Sequence, residues 1–281
     1  MTNKEVSINK AVTLAKRNLV DSIWKSANIE GLGTTFPKTE AILDNLTVDT
    51  NREEVLFIVN MRNAWKFLFE VLNVENKLAM LREFNKICGN SLIYGSGDLR
   101  TTNVQITGST YVSRIPEYVD VVEDISKLNL IEDSIERAVS YFCYIAKSQL
   151  FIDGNKRVAQ LVCNKILVEN GVGILSIDIR RLYEFKMLLV EYYENENNKN
   201  KLVEFLKSMI AYVDSLAVNT DITRNFSFTA DYEKRVIDLC NSIGIAGSGV
   251  IYNILNNLPK EEILELGELK KTILNIILNS D

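Results

Sequence analysis

Phe151-Ile152-Asp153-Gly154-Asn155-Lys156-Arg157 is a polar, glycine-bearing turn between two apolar runs of helical period, about 132–148 and about 154–170. Gly154 permits tight backbone geometry, and free N–H groups at the start of the following helix can hold phosphates. Lys156 and Arg157 add two positive charges at a helix start, where the dipole disfavours cations. A bound anion would offset that cost. The Asp153 carboxylate can hold Mg²⁺ when phosphates and water complete the shell. The same residues also read more plainly, because Asp-Gly-Asn is a common turn and Asp or Asn caps helices.

On both sides of this turn the chain is helical by period. Val6, Ala11, Leu14, Ala15, Leu19, Ile23 and Trp24 predict one helix over about 5–29, ended by Gly31 and Gly33. Pro37 starts a short helix near 38–44, and two longer helices cover about 53–72 and 75–88. The pattern then breaks. Alternation around Val104 and Ile106, the Gly108-Ser109 turn and Tyr111 predict a short β-hairpin at 103–112. Helical period returns at about 117–128, 179–195 and 199–215, and again near 230–243, 248–257 and 260–278, beyond a polar stretch at 219–229. The fold class is therefore mainly α, a helical bundle with a small β-hairpin and a C-terminal helical extension. The regions are 1–50, 51–216 and 217–281.

Composition narrows the function. The chain has 281 residues, 47 % hydrophobic and 25 % charged, an ordinary globular balance. A net charge of −5 argues against a nucleic-acid partner. Helices near 230 and 248 loosely suggest a helix-turn-helix, yet 248–258 contains no Lys or Arg to meet phosphates. The chain has no His, which excludes His-based triads and His metal ligands. Its four Cys are dispersed with no C-x-x-C pair, so zinc is not expected and a reduced, cytoplasmic setting is the simplest account. Residues 1–10 are polar with no signal-like core, and no apolar run reaches about 18 residues, so no membrane association is expected.

The stretch Gln149-Leu150-Phe151-Ile152-Asp153-Gly154-Asn155-Lys156-Arg157 resembles the Fic-family motif H-P-F-x-[D/E]-G-N-[G/K]-R, departing from it at the first two positions. Ser26-Ala27-Asn28-Ile29-Glu30-Gly31 resembles that family's inhibitory motif [S/T]-x-x-x-E-[G/N]. The resemblance covers about 20–215. It implies a Fic-type bundle and transfer of AMP from ATP to a Ser, Thr or Tyr hydroxyl. It also implies nucleotide binding by Asp153, Gly154, Asn155, Lys156 and Arg157, with Mg²⁺ at Asp153. Val104, Ile106 and Tyr111 would belong to a flap that clamps the target as an added strand.

Ser26, Glu30 and Gly31 would form an inhibitory element in which Glu30 blocks the γ-phosphate position. Gln149 stands at the position of the catalytic His and cannot accept a proton. Loss of a general base costs about 10²–10⁴-fold. Many adenylylating members carry a second Arg where this chain has Gln160, so Glu30 must pair with Lys156 or Arg157 or remain without a partner. Lys156 in place of Gly resembles the death-on-curing branch, which phosphorylates its target.

The resulting expectation is an adenylyltransferase impaired at Gln149 and self-inhibited through Glu30. The alternatives are a nucleotide-binding pseudoenzyme or protein-interaction module, and a phosphotransferase of the death-on-curing type. Expected partners are a protein presenting a hydroxyl or a docked strand, and a second copy of this chain. Arg100 reads as a solvated charge beside the hairpin. Tyr111 reads either as hairpin packing or as a contact to adenine or target. Tyr144, Leu161 and Ile166 read as core.

Overall fold

A computed structural model describes residues 3–106 and 108–213. The helices are α1 (Asn3–Arg17), α2 (Leu19–Ile29), α3 (Phe36–Leu43), α4 (Arg52–Glu70), α5 (Leu78–Cys88), α6 (Tyr118–Asn129), α7 (Ser134–Ser148), α8 (Asn155–Glu169), α9 (Leu182–Glu194) and α10 (Lys199–Ser208). The expected C-terminal extension, 217–281, lies outside the described residues.

Helix starts follow capping chemistry. Thr35, Asn51 and Asp133 each accept a backbone N–H from the first turn of α3, α4 and α7. The helix expected over 5–29 is two helices. They divide at Asn18, whose side-chain amide donates to Leu14 O at 2.9 Å and competes with the backbone ladder.

The core forms around α8. Residues Val158, Ala159 and Leu161 to Val168 are buried, so this helix is covered on nearly every side. Helix α7 packs along it, while α1, α4 and α5 cover other faces. The polar stripe of α8, formed by Lys156, Gln160 and Asn164, is half-buried or buried like the rest of the helix and marks no solvent face.

Two strand readings are corrected. The helix expected to reach 215 stops at Ser208, and residues Ile210–Tyr212 form β2, antiparallel to β1 (Gly173–Leu175). Gly173 pairs with Tyr212, at φ +150, and a Cβ on it would lie 2.0 Å from Ala211 O. Only glycine admits that approach.

The hairpin expected at 103–112 forms no ladder among the described residues. Its turn is present, with the Ser109 N–H donating to Ile106 O at 3.1 Å. The polar groups beyond the turn bond instead to Glu194 at the end of α9. A lone two-stranded hairpin is marginal in water, and here side-chain anchors replace cross-strand bonds. No helix among the described residues is long and apolar enough to cross a membrane.

Candidate functional site

Residues 149–154 link α7 to α8 and are fixed from below. Leu150 and Phe151 are buried, each about 1 % exposed, and anchor the loop in the core. The Asn155 side chain braces it from within, accepting the Phe151 N–H at 3.0 Å and donating to Phe151 O at 2.8 Å and Gln149 Oε1 at 3.1 Å. Asn85, fully buried on α5, donates to Asp153 O at 2.8 Å and accepts the Gly97 N–H at 2.8 Å. Gly154 lies at φ +84, and a Cβ there would press on Asn85 Nδ2 at 2.9 Å. Asn85 thus ties the glycine-rich stretch 89–97 to the motif.

Gly154 is the N-cap of α8, and no side chain caps the first turn. The N–H groups that a Ser or Asp would otherwise satisfy remain available to an anion. Lys156 sits in that turn, and its Nζ lies 3.3 Å from Glu30 Oε2, so the ion pair expected for Glu30 falls on Lys156. Glu30 is the C-cap residue of α2. Its Oε1, together with Ser26 Oγ, is buried without a hydrogen-bond partner among the described residues.

Arg157 turns inward. It is 4 % exposed, donates to Asp153 Oδ2 at 2.9 Å and to Cys88 O at 3.3 Å, and lies over the Phe57 ring. It does not line the cleft beside the motif. Asn155 and Arg157 therefore shape the loop, while Lys156 and the uncapped start of α8 border the cleft. Asp153 remains exposed, with Oδ1 accepting the Gly154 N–H and Oδ2 facing Arg157. Each carboxylate oxygen has a second lone pair, so one metal contact is available. No group of three or more potential metal-ligating side chains occurs among the described residues. Asp153 can therefore give one contact to a Mg²⁺ whose other ligands are phosphates and water.

Gln149 occupies the left-handed region at φ 46, ψ 57. Its Nε2 donates to Ala146 O at 2.6 Å while its Oε1 accepts from Asn155. The amide thus braces the loop. Gln160 Nε2 turns back to Lys156 O at 3.2 Å.

The cleft encloses about 490 Å³, within the range of small-molecule sites. Its polar side holds Glu30, Gln149, Asp153, Asn155 and Lys156. Facing them, α9 presents Phe185, Lys186, Leu189, Val190 and Tyr193, one helical stripe, and the segment 104–106 closes the edge with Val104 and Ile106. Tyr111 stacks on Tyr193, with centroids 6.4 Å apart and planes 8° from parallel, so it acts as packing that docks the flap on α9.

Several residues that position the site were not read from the sequence in that role. Arg100 is the largest departure. It is 2 % exposed and donates to Gln149 O, to Thr102 O at 2.7 Å, to Ser113 O at 3.0 Å and to Arg114 O at 2.6 Å. Its own N–H donates to Leu150 O at 3.0 Å. This guanidinium ties both arms of the flap to the loop, and burial lowers its pKa. Glu194 was also missed. It accepts from Ser109 Oγ and the Thr110 N–H, both at 2.6 Å, and from Thr110 Oγ1 at 2.7 Å. Both are ordinary charged residues in sequence, and only contacts far along the chain distinguish them.

Residues 76–167 match the Fic/DOC family. The chain is 29 % identical over 179 residues to the protein adenylyltransferase fic-1 of Caenorhabditis elegans and 28 % to that of Caenorhabditis briggsae. Each alignment spans 57 % of this chain and 34 % of the relative, so the chain covers about a third of their length. Among solved structures, a fragment of Fic-1 from C. elegans superposes with a TM-score of 0.60 at 21 % identity, covering 76 % of this chain and 67 % of that one. A Fic-domain signalling protein from Bacteroides thetaiotaomicron gives 0.59 at 18 % identity, covering 77 % and 94 %. The architecture is the mainly helical Fic fold with a small two-stranded antiparallel sheet.

Proposed function

We propose that this Fic/DOC family protein binds ATP with Mg²⁺ in the cleft between the start of α8 and α9, as a protein adenylyltransferase impaired at Gln149 and obstructed by Glu30. The observation that carries the reading is the uncapped α8 N-terminus at Gly154, beside a cleft of about 490 Å³ that Lys156 helps to line. The distant similarity to protein adenylyltransferases supports the choice of nucleotide and reaction.

In this reading the backbone N–H groups of Asn155 and Lys156 meet a phosphate, and Lys156 adds charge once Glu30 gives way. Asp153 would hold Mg²⁺ through one carboxylate oxygen. The metal, when bound, screens phosphate charge. Val104 and Ile106, with Leu189 and Tyr193 toward the C-terminal end of α9, suit a purine base. The flap segment would dock a protein strand that presents its hydroxyl. The step that lacks its residue is deprotonation of that hydroxyl, because the Gln149 amide has no basic group. The orphaned Glu30 Oε1 beside Lys156 supports the inhibitory role, since a carboxylate held there repels incoming phosphate.

ATP–Mg²⁺ calorimetry on the parent chain and on Glu30→Gly tests the reading. Saturable binding that tightens by about tenfold in Glu30→Gly is expected, from removal of one like charge at close range. Absence of binding to both forms would sink it. In the Glu30→Gly background, Gln149→His is expected to raise incorporation of labelled adenylate by about 10²–10⁴-fold.

A further inference from the structure

We propose that Lys186 is a phosphate-contacting residue of the cleft, taking the terminal phosphate of a nucleoside triphosphate from the α9 side. The inference deepens the nucleotide reading and rests on it.

Two cationic side chains line the cleft, Lys156 and Lys186. Lys156 is engaged by Glu30 at 3.3 Å. Arg157 is withdrawn into the interior against Asp153. Gln160 is neutral and folded back on its own helix. Lys186 is exposed, with no acidic partner among the described residues, although Glu184 is two positions away and engaged by Arg181. On α9 it shares the cleft-facing stripe with Phe185, Leu189 and Val190, otherwise apolar. An ammonium on such a stripe keeps its stem on the apolar surface and extends its charge into the open space.

The charge balance points the same way. Glu30 and Asp153 offset Lys156 and Lys186 among the residues that line the cleft. A triphosphate brings about four negative charges, whereas Lys156, the α8 N-terminus at about half a charge and one Mg²⁺ supply roughly three and a half, from which the Asp153 carboxylate subtracts about one. Lys186, on the opposite wall and without a competing carboxylate, supplies a cation for the end of the chain of phosphates.

Titrations of ATP, ADP and adenosine into Glu30→Gly, with and without Lys186→Gln, test this. Lys186 is exposed on its helix, so the substitution leaves the fold intact. ATP is expected to weaken by about tenfold, a typical value for one charge-assisted contact. ADP should weaken by less and adenosine should be unchanged, and Lys186→Arg should restore ATP affinity. Equal weakening of all three ligands would make Lys186 a packing residue and overturn the inference. Unchanged ATP affinity would overturn it too, while leaving the nucleotide reading intact. Failure of Glu30→Gly with Lys186 present to bind ATP would overturn both.

Discussion

Arg100 carries the largest burden of any single side chain around the site. Its buried guanidinium satisfies carbonyls from Gln149, Thr102, Ser113 and Arg114, drawn from both arms of the flap and from the motif loop. Replacing it with Met removes the donors and leaves those oxygens buried without partners, at about 1–3 kcal/mol for each one that water cannot reach. Arg100→Met is therefore expected to lower stability by on the order of 3 kcal/mol in urea denaturation. A loss below about 0.5 kcal/mol, the usual limit for a surface substitution, would show that the guanidinium is solvated. The sequence supports that second view, because nothing local separates Arg100 from a surface charge. Glu30 and Lys156 were easier to read, because the resemblance to the inhibitory motif, with the neutral Gln160 in place of a second Arg, left Lys156 and Arg157 as the candidate partners. Asn155 and Arg157 lay between these cases. Their place in the motif was legible, but the inward turn of Arg157 depends on Phe57 and Cys88, about 100 and 69 positions earlier.

The flap illustrates how elements inherit geometry from partners distant in sequence. Alternation at 103–112 predicted a hairpin, and the turn formed, yet its polar groups bond to α9. Hydrogen bonds from Ser109 and Thr110 hold the Glu194 carboxyl down at about 2, from an ordinary 4.5. A lowered folded-state pKa means that the latch is complete above about pH 4.5 and is lost as the pH falls toward 2. The Thr110 amide proton is expected to titrate with a midpoint near 2 by NMR, and a midpoint near 4.5 would mean that no latch forms. In Glu194→Gln, amides 109–111 should exchange faster while those of α7 and α8 keep their protection, since neither helix depends on this contact. The strand β2 was missed for a related reason. Ile210 to Tyr212 carry no pattern of their own, and the pairing depends on Gly173, whose bare Cα faces Ala211 O. Long helices were the most legible elements because their period repeats over several turns, whereas a three-residue ladder offers no period at all.

At the scale of the molecule, α2 belongs to the core. Ile23, Ala27 and Ile29 are buried, and Trp24 Nε1 and Asn28 Nδ2 donate to Thr34 O at 2.9 and 3.0 Å. Trp24 also meets Phe36 edge-on, with centroids 5.8 Å apart. Glu30 is therefore carried by a helix that cannot move away without exposing its apolar face, so under the proposed obstruction relief must come from the Glu30 side chain. Without ligand, the parent and Glu30→Gly should melt within a few degrees of each other, because a partly exposed ion pair contributes at most about 1 kcal/mol. With ATP–Mg²⁺ at about 100 times the dissociation constant, linkage adds about 2.7 kcal/mol. For a domain of this size that corresponds to a rise of about 5–10 °C. At a nucleotide concentration that saturates Glu30→Gly but not the parent, the variant should show the larger rise in thermal melts. Equal rises would mean that Glu30 does not obstruct the site. A large fall in the melting temperature of ligand-free Glu30→Gly would instead show that the carboxylate serves mainly to hold α2 on the core.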